Sequence, residues 1–333
     1  MEILVIKLGA MGDVLRTTTL LPALKEKYKG CFIDWVTKSN SLDLIKNNPH
    51  IRTVYAIEKK EKMPKKYDYI INFDDEDAAC KLASKIQTKK LVGAFIKDGN
   101  RAYTPDANPW FDMGLISRFG KKKADQLKAT NKKTYQEIHF SILGLKDPKK
   151  YPPQLVLDKK NIEFAEAFSK KNKIDRKLKT IGINTGAGGR WQDKKLSEEQ
   201  TVFIINAIQK EKKVNIILFG GPEEVERNKN ILKKTKNVFD AGCDNSLLDF
   251  AALVGLCDVV LTSDSLAMHV GISLHKKIVA FFYPTPAQEI ELYDNGTKIM
   301  GVGKDYCSYK PTCDYPATWN LDKIIRAVVD LAR

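Results

Sequence analysis

The sequence predicts an α/β protein built from two Rossmann-like domains, each a parallel sheet covered by helices, facing one another across a cleft. Three observations predict it. The chain opens on a strand, a glycine turn and a helix start between Glu2 and Tyr28; a second strand–turn–helix series begins near Thr180; and PKKYPP at 148–153 makes a polar, proline-rich break between them. At 333 residues and 43% hydrophobic, the chain can bury two cores of ordinary domain size. The expected division is 1–155, then 156–318, then a C-terminal helix within 319–333 packing back on the first domain.

In the first domain, Glu2 to Leu8 is apolar apart from Glu2 and Lys7, the pattern of a buried parallel strand. Gly9-Ala-Met-Gly12 is a hinge, and Asp13 opens a helical segment running through at least Thr19. Strands follow at Phe32–Thr37, Thr53–Ile57, Tyr67–Phe73 and Lys90–Phe95, with helices at Leu42–Asn47 and from the acidic cluster Asp74–Asp77 through Ile86. That cluster has the chemistry to bind a metal or hydroxyls, but it reads first as a solvated helix start favoured by the dipole. Residues 97–150 hold aromatics in a polar context, a basic run and the amphipathic helix Tyr135–Leu143, whose His139 lies on the apolar stripe as a packed residue.

In the second domain, Thr180–Asn184 is a strand, Thr185–Gly189 a glycine turn, and Ser197–Lys210 a helix with Ser197-x-x-Gln200 as its capping box. Strands at Asn215–Phe219, Val238–Asp240, Val259–Thr262 and Lys277–Phe281 alternate with helices at Glu223–Lys234, Ser246–Gly255 and Ser265–Ser273. The last helix is Leu321–Ala332.

A net charge of +15 and a pI near 9.3 describe either lysines spread as solvated faces or attraction to polyanions. The runs Lys59–Lys66 and Lys121–Lys133 lack the interleaved aromatics of a single-strand-binding surface, so no nucleic-acid partner is expected. An anionic glycolipid or membrane surface fits them as well. No signal peptide or membrane helix is visible, which places the expected protein in the cytoplasm, with peripheral contact at the inner face of the inner membrane. The six cysteines are mostly isolated and are expected as reduced thiols; Cys307 and Cys313 alone do not make a metal site, and no metal or cofactor is expected.

Two constellations carry chemistry. No G-x-G-x-x-G runs through Gly9-x-x-Gly12, which disfavours a nicotinamide or flavin site. Asp13, beside Gly12, Arg16 and Thr17, is either the N-cap of its helix or a carboxylate held at the sheet edge as a general base. In the second domain, three turns lie at strand ends: Thr185 and Gly186 with Lys194 and Lys195 beyond them, Gly220 to Glu224, and Thr262 to His269. Backbone N–H groups, hydroxyls and a lysine there suit a diphosphate. Ser265 and His269 would suggest a hydrolase, but no G-x-S-x-G elbow is present.

K-L-G-A-M-G-D-V-L-R-T-T-T-L-L-P-A-L-K resembles the opening of the lipopolysaccharide heptosyltransferases, glycosyltransferase family 9, which carry G-D-x-L-x-T after their first strand. Ile33–Val36 and Asn48–Ile51 are similar to family segments, T-S-D-S-x-x-M-H resembles the family's D-S/T-G-x-M-H, and Tyr283-Pro284-Thr285 its G-P-T. The likeness covers about 1–58 and 180–319. It implies a GT-B fold, with Asp13 as the base and Asp264, Ser265, His269 and Thr285 lining the sugar-nucleotide pocket. It also places Lys194 or Lys195 at the diphosphate, Glu224 or less closely Glu223 near the nucleoside, and Arg16 within reach of an anionic acceptor. Leu266 stands where the family has glycine, and Lys-Lys-Leu-Ser replaces Lys-x-Trp-Pro.

The implied reaction is metal-independent, inverting transfer of heptose from ADP-heptose to a lipid A–Kdo core or related anionic saccharide. Two other readings stay open from sequence: a glycosyltransferase, epimerase or hydrolase using another nucleotide sugar, and a non-catalytic polyanion-binding module.

Overall fold

The computed structural model describes residues 1–59, 63–189, 191–310 and 312–333, so part of the run Lys59–Lys66, and Arg190 beside the first glycine turn, lie outside it. The chain divides into two compact units, Met1–Val156 with Gln288–Glu291, and Leu157–Ala287 with Leu292–Arg333.

The first unit holds strands β1 (Glu2–Ile6), β2 (Phe32–Thr37), β3 (Thr53–Ala56), β4 (Lys66–Asn72), β5 (Gln87–Lys97) and β6 (Asn100–Tyr103), in the order β3-β2-β1-β4-β5-β6. Pairing is parallel except between β5 and β6. Ile3 to Ile6 are fully buried because β1 lies at the sheet centre with both faces covered. Leu4, Ile6, Val36, Tyr67 and Ile70 pack there with Ala79 and Ala83 of the helix Asp77–Lys85.

The β5–β6 hairpin was not expected, although its turn residues Asp98 and Gly99 both take positive φ, as a two-residue Asp-Gly hairpin requires. The basic run also forms a helix, Gly120–Thr130. At Gly93 φ is +115°, and an added Cβ would sit 1.8 Å from the Asn72 carbonyl oxygen. Gly93→Ala is therefore expected to destabilise the protein by about 3 kcal/mol, read as a lower urea midpoint with unchanged slope.

The second unit holds β7 (Thr180–Asn184), β8 (Asn215–Phe219), β9 (Val238–Asp240), β10 (Val259–Ser263), β11 (Lys277–Phe282) and β12 (Gly296–Met300), all parallel, in the order β12-β11-β10-β7-β8-β9. The helix Lys159–Lys171, for which no element was expected, follows the break and is tied down by an Asn161 side chain donating to Asp249 at 2.7 Å.

The C-terminal helix Leu321–Leu331 corrects an expectation. It was assigned to the first domain, yet Ile324, Ile325 and Val328 are buried in the second unit's core with Ile204, Ile208, Val279 and Phe281. An apolar stripe requires cover but does not specify which sheet supplies it. Lys277 and Lys212 fix the choice by donating to the carbonyls of Leu331 and Ala332 at 2.8 Å, as cations do at a helix C-terminus.

In both sheets the strand order reverses beside the first strand of the unit, between β1 and β4 and between β7 and β10. Ligands of open α/β sheets bind outside the carboxyl ends of strands at such points.

Candidate active site

At the first switch point the helix Met11–Thr17 follows β1. Asp13 is its third residue rather than its N-cap: the cap is Ala10, whose N–H donates back to Asp13 Oδ2 at 3.3 Å. Asp13 Oδ1 lies 2.9 Å from Arg16 Nη2, with the Asp13 side chain one-third exposed. Arg16 is buried, its guanidinium 3.9 Å over the Tyr135 ring. Thr17 Oγ1 donates to the Asp13 carbonyl at 2.6 Å, so the Tyr135 hydroxyl, also 2.6 Å from Thr17 Oγ1, must donate to it. Burial pushes the Tyr135 phenol up and keeps it a donor. Asp13 is thus presented on a braced turn, and Arg16, expected to meet an acceptor, already pairs with Asp13.

Asp74 follows β4 at the same edge, buried rather than solvated as the acidic cluster suggested. Its Oδ2 accepts from Lys7 Nζ at 3.1 Å, Leu8 N–H at 2.9 Å and Gly9 N–H at 3.3 Å, and its Oδ1 from Glu76 N–H at 3.0 Å. Burial pushes this carboxyl up, but Lys7 and the N–H donors outweigh it and hold the carboxyl low. Lys7 is raised in turn: burial opposes its charge, and Asp74, then Asp13, outweigh the burial. Lys7 and Asp74 together fix the Leu8–Gly9 backbone from which the Asp13 helix departs. His139 is packed, as read: burial holds it well below its usual range, its ring stacks 3.8 Å from Tyr135, and its Nδ1–H donates to the Tyr135 carbonyl at 2.8 Å.

At the second switch point, side chains tie the three turns together. Asn184, ending β7, donates to the Gly186 carbonyl at 2.7 Å, Thr262 Oγ1 at 3.2 Å and Ser265 Oγ at 3.3 Å. Lys194 Nζ donates to Asp264 Oδ2 at 2.8 Å and to the Asp264 carbonyl at 3.1 Å, and Thr285 donates to the same carboxylate at 2.7 Å. Lys195 Nζ lies 2.6 Å from Glu224 Oε1, whose other oxygen accepts the Gly221 N–H at 3.0 Å. Both ion pairs are largely buried. The two adjacent lysines, equivalent in the sequence, therefore have different destinations.

Ser265 leaves the first turn of the helix Leu266–Ser273 without a side-chain cap. Leu266 opens that helix half-buried, and His269 is buried one turn in. Gly186 lies against the Glu224 carboxylate and Gly189 against Glu223, where an added Cβ would come within 2.6 Å and 2.4 Å. Glu223 is exposed. The Thr185 hydroxyl turns inward, toward Asn228 at 2.6 Å and the Phe219 carbonyl at 3.0 Å.

Sequence reasoning missed Lys7, Asp74, Tyr135 and Asn184. A signal existed for three of them, because each is a polar residue in or just beyond an apolar central strand. Among the described residues no group of three or more His, Cys, Asp or Glu is placed to hold a metal ion. Among the described residues no cysteine is in a disulfide, and burial pushes Cys80 and Cys257 to about 12 and Cys313 to about 11, so these thiols stay protonated.

Similarity to known proteins extends over nearly the whole chain. Lipopolysaccharide heptosyltransferase 1 of Campylobacter coli is 21% identical over 334 aligned positions, covering 93% of this chain and 92% of that protein. Among solved structures, a glycosyl transferase family 9 protein of Veillonella parvula superposes with a TM-score of 0.78 at 19% identity, covering 99% and 97% of the two chains. The E. coli heptosyltransferase WaaC with ADP gives 0.61 at 17%, covering 100% and 99%. ADP-heptose LPS heptosyltransferase II of E. coli gives 0.63 at 14%, covering 100% and 98%. These similarities show the GT-B class of fold, two parallel-sheet α/β units in one chain. The family model of glycosyltransferase family 9 (heptosyltransferase) matches residues 121–315, more than half of the sequence, and the chain belongs to that family of enzymes.

Proposed function

We propose that the protein is an inverting glycosyltransferase moving heptose from ADP-heptose to a hydroxyl of a lipopolysaccharide core or related anionic saccharide. The observation that carries the donor half is Lys194, held by Asp264, whose carboxylate also accepts from Thr285, beside the uncapped start of Leu266–Ser273. An ammonium has three donors; among the described residues Asp264 accepts from two of them, and the third, with the Trp191 ring 4.7 Å from Nζ, is available to a phosphate oxygen. The helix N–H groups add to it. Lys195, committed to Glu224 within the turns, is the positioning partner of the pair. The solved E. coli relatives are described with ADP and with ADP-2-deoxy-2-fluoro heptose, which supports an adenine nucleotide as donor.

In this reading the acceptor O–H gives its proton to the Asp13 carboxylate as its oxygen bonds to the anomeric carbon. The bond from that carbon to the phosphate oxygen breaks on the opposite side, and ADP leaves with the bonding electrons. Lys194 and the helix start stabilise the charge that gathers on ADP. A lysine in this role supplies the positive charge directly, and activity in EDTA is expected to equal that in buffer.

Thermal unfolding with ADP-heptose, ADP, UDP-sugars and GDP-sugars tests the donor. A ligand at 100 times its dissociation constant adds about 2.7 kcal/mol, a clear rise in Tm. ADP and ADP-heptose are expected to raise Tm and the others not. A response confined to UDP- or GDP-sugars would change the donor and put Leu266, at the helix start, first among its determinants.

A further inference from the structure

In the second unit, three consecutive side chains reach three different elements. Lys194 and Lys195 go to Asp264 and Glu224, and Asp193, just before them, accepts the Cys313 N–H at 2.7 Å. The turn Gln192–Lys194 that carries the first two is a single short turn, with Asp193 partly exposed and Lys194 buried. Its backbone bonds are local: the Trp191 N–H donates to the Gly188 carbonyl at 3.2 Å, the Lys194 N–H to Trp191 at 3.2 Å and the Lys195 N–H to Gln192 at 3.1 Å. Tight turns of this kind have poor hydrogen-bond geometry, so side-chain anchors decide where the Lys194 ammonium stands.

The segment that supplies Cys313 is itself fixed. Beyond β12, Val302 and Thr318 exchange backbone bonds of 3.0 Å and 2.8 Å. Between them the Tyr315 N–H donates to Asp305 Oδ2 at 2.9 Å, the Asp305 N–H donates to the Tyr283 hydroxyl at 3.0 Å, and that hydroxyl donates to the Tyr315 carbonyl. Tyr283 is buried directly after β11, and two residues further on Thr285 donates to Asp264 at 2.7 Å. The contacts close a ring: Asp193 to Cys313, Tyr315 through Asp305 to Tyr283, Thr285 to Asp264, and Asp264 back to Lys194.

We propose that Asp193 is a positioning residue for the donor: anchored on the Cys313 N–H, it holds the turn so that Lys194 meets the leaving diphosphate. This rests on the donor reading above and adds to it the group that aims the lysine. Charge alone would have the opposite effect, because a carboxylate beside an anionic ligand repels it and its removal should tighten binding. A loss of affinity on removing Asp193 therefore reports position.

The test is calorimetric titration of the full chain with ADP. Asp193→Ala is expected to weaken ADP binding about tenfold, near the lower end of what a hydrogen bond to a charged group contributes. Asp193→Asn keeps an oxygen for the Cys313 N–H and is expected to bind within about twofold of wild type, the tolerance of such comparisons. Lys194→Met should weaken ADP binding by itself, and adding Asp193→Ala to it should change affinity by less than about twofold, since the residue acts through the lysine. Wild-type affinity in Asp193→Ala, an Asn variant as weak as the Ala variant, or an equal loss in both lysine backgrounds overturns the inference while leaving the donor reading intact. Wild-type affinity in Lys194→Met overturns the donor reading, and this inference with it. Should Lys194→Met fail to fold, the contrast between Asp193→Ala and Asp193→Asn decides.

Discussion

Asp13→Asn is expected to lower turnover about 10²- to 10⁴-fold while leaving donor affinity unchanged, the range that general-base assistance supplies. The substitution keeps the shape of the side chain and an oxygen to accept the Ala10 N–H. It removes the charge paired with Arg16, but Asp13 is one-third exposed, and such pairs contribute about 0–1 kcal/mol. The fold should therefore survive with Tm nearly unchanged, and the loss should appear in kcat, with ADP affinity by calorimetry as the control. Turnover equal to wild type would remove Asp13 from the chemistry and leave it a helix-start residue.

The second large effect is expected at Asp264. Removing one member of a buried ion pair costs about 3–5 kcal/mol, because the other charge stays buried without its partner. Asp264→Ala should therefore destabilise the protein by that amount, and adding Lys194→Met should restore part of it, since contacting residues are not additive. A pH signature accompanies the pair. Burial pushes the Asp264 carboxyl up, but Lys194, then His269, then the hydrogen bonds from Lys194 and Thr285 outweigh it and bring the carboxyl to about 2 from the usual 3.8. A carboxyl lower in the fold than in the unfolded chain contributes stability that is fully present above the unfolded value and is lost as pH falls from about 4 toward 2. The contribution is about 2 kcal/mol. Urea unfolding at pH 7 and pH 3 should show a smaller loss in Asp264→Asn than in wild type, and equal losses would place the pair outside the linkage.

Parts of the site resting on local chain signals were legible in the sequence. The glycine turn after an apolar strand located Asp13, and the stripe through Tyr135–Leu143 identified His139 as packed. Ser197-x-x-Gln200 forms the capping box it spells, with N–H and side-chain bonds of 2.8 Å and 3.1 Å. Parts resting on distant partners were not. Asp74 looked like one of four solvated carboxylates until Lys7 and two N–H groups, more than sixty residues away in the chain, converged on it. Tyr135 braces Arg16 and Thr17 across more than a hundred residues. Lys194 and Lys195 differ only because the short turn Gln192–Lys194 aims one at Asp264 and the other at Glu224. The C-terminal helix advertised an apolar face without naming its sheet.

The most direct measurement is the release of ADP from ADP-heptose by purified protein, with and without a lipid A–Kdo acceptor and in the presence of EDTA. ADP release is expected to require the acceptor, to proceed fully in EDTA, and to yield a glycoside of anomeric configuration opposite to the donor's. ADP release at the same rate without acceptor, or a product that retains the donor's configuration, would contradict the proposed transfer.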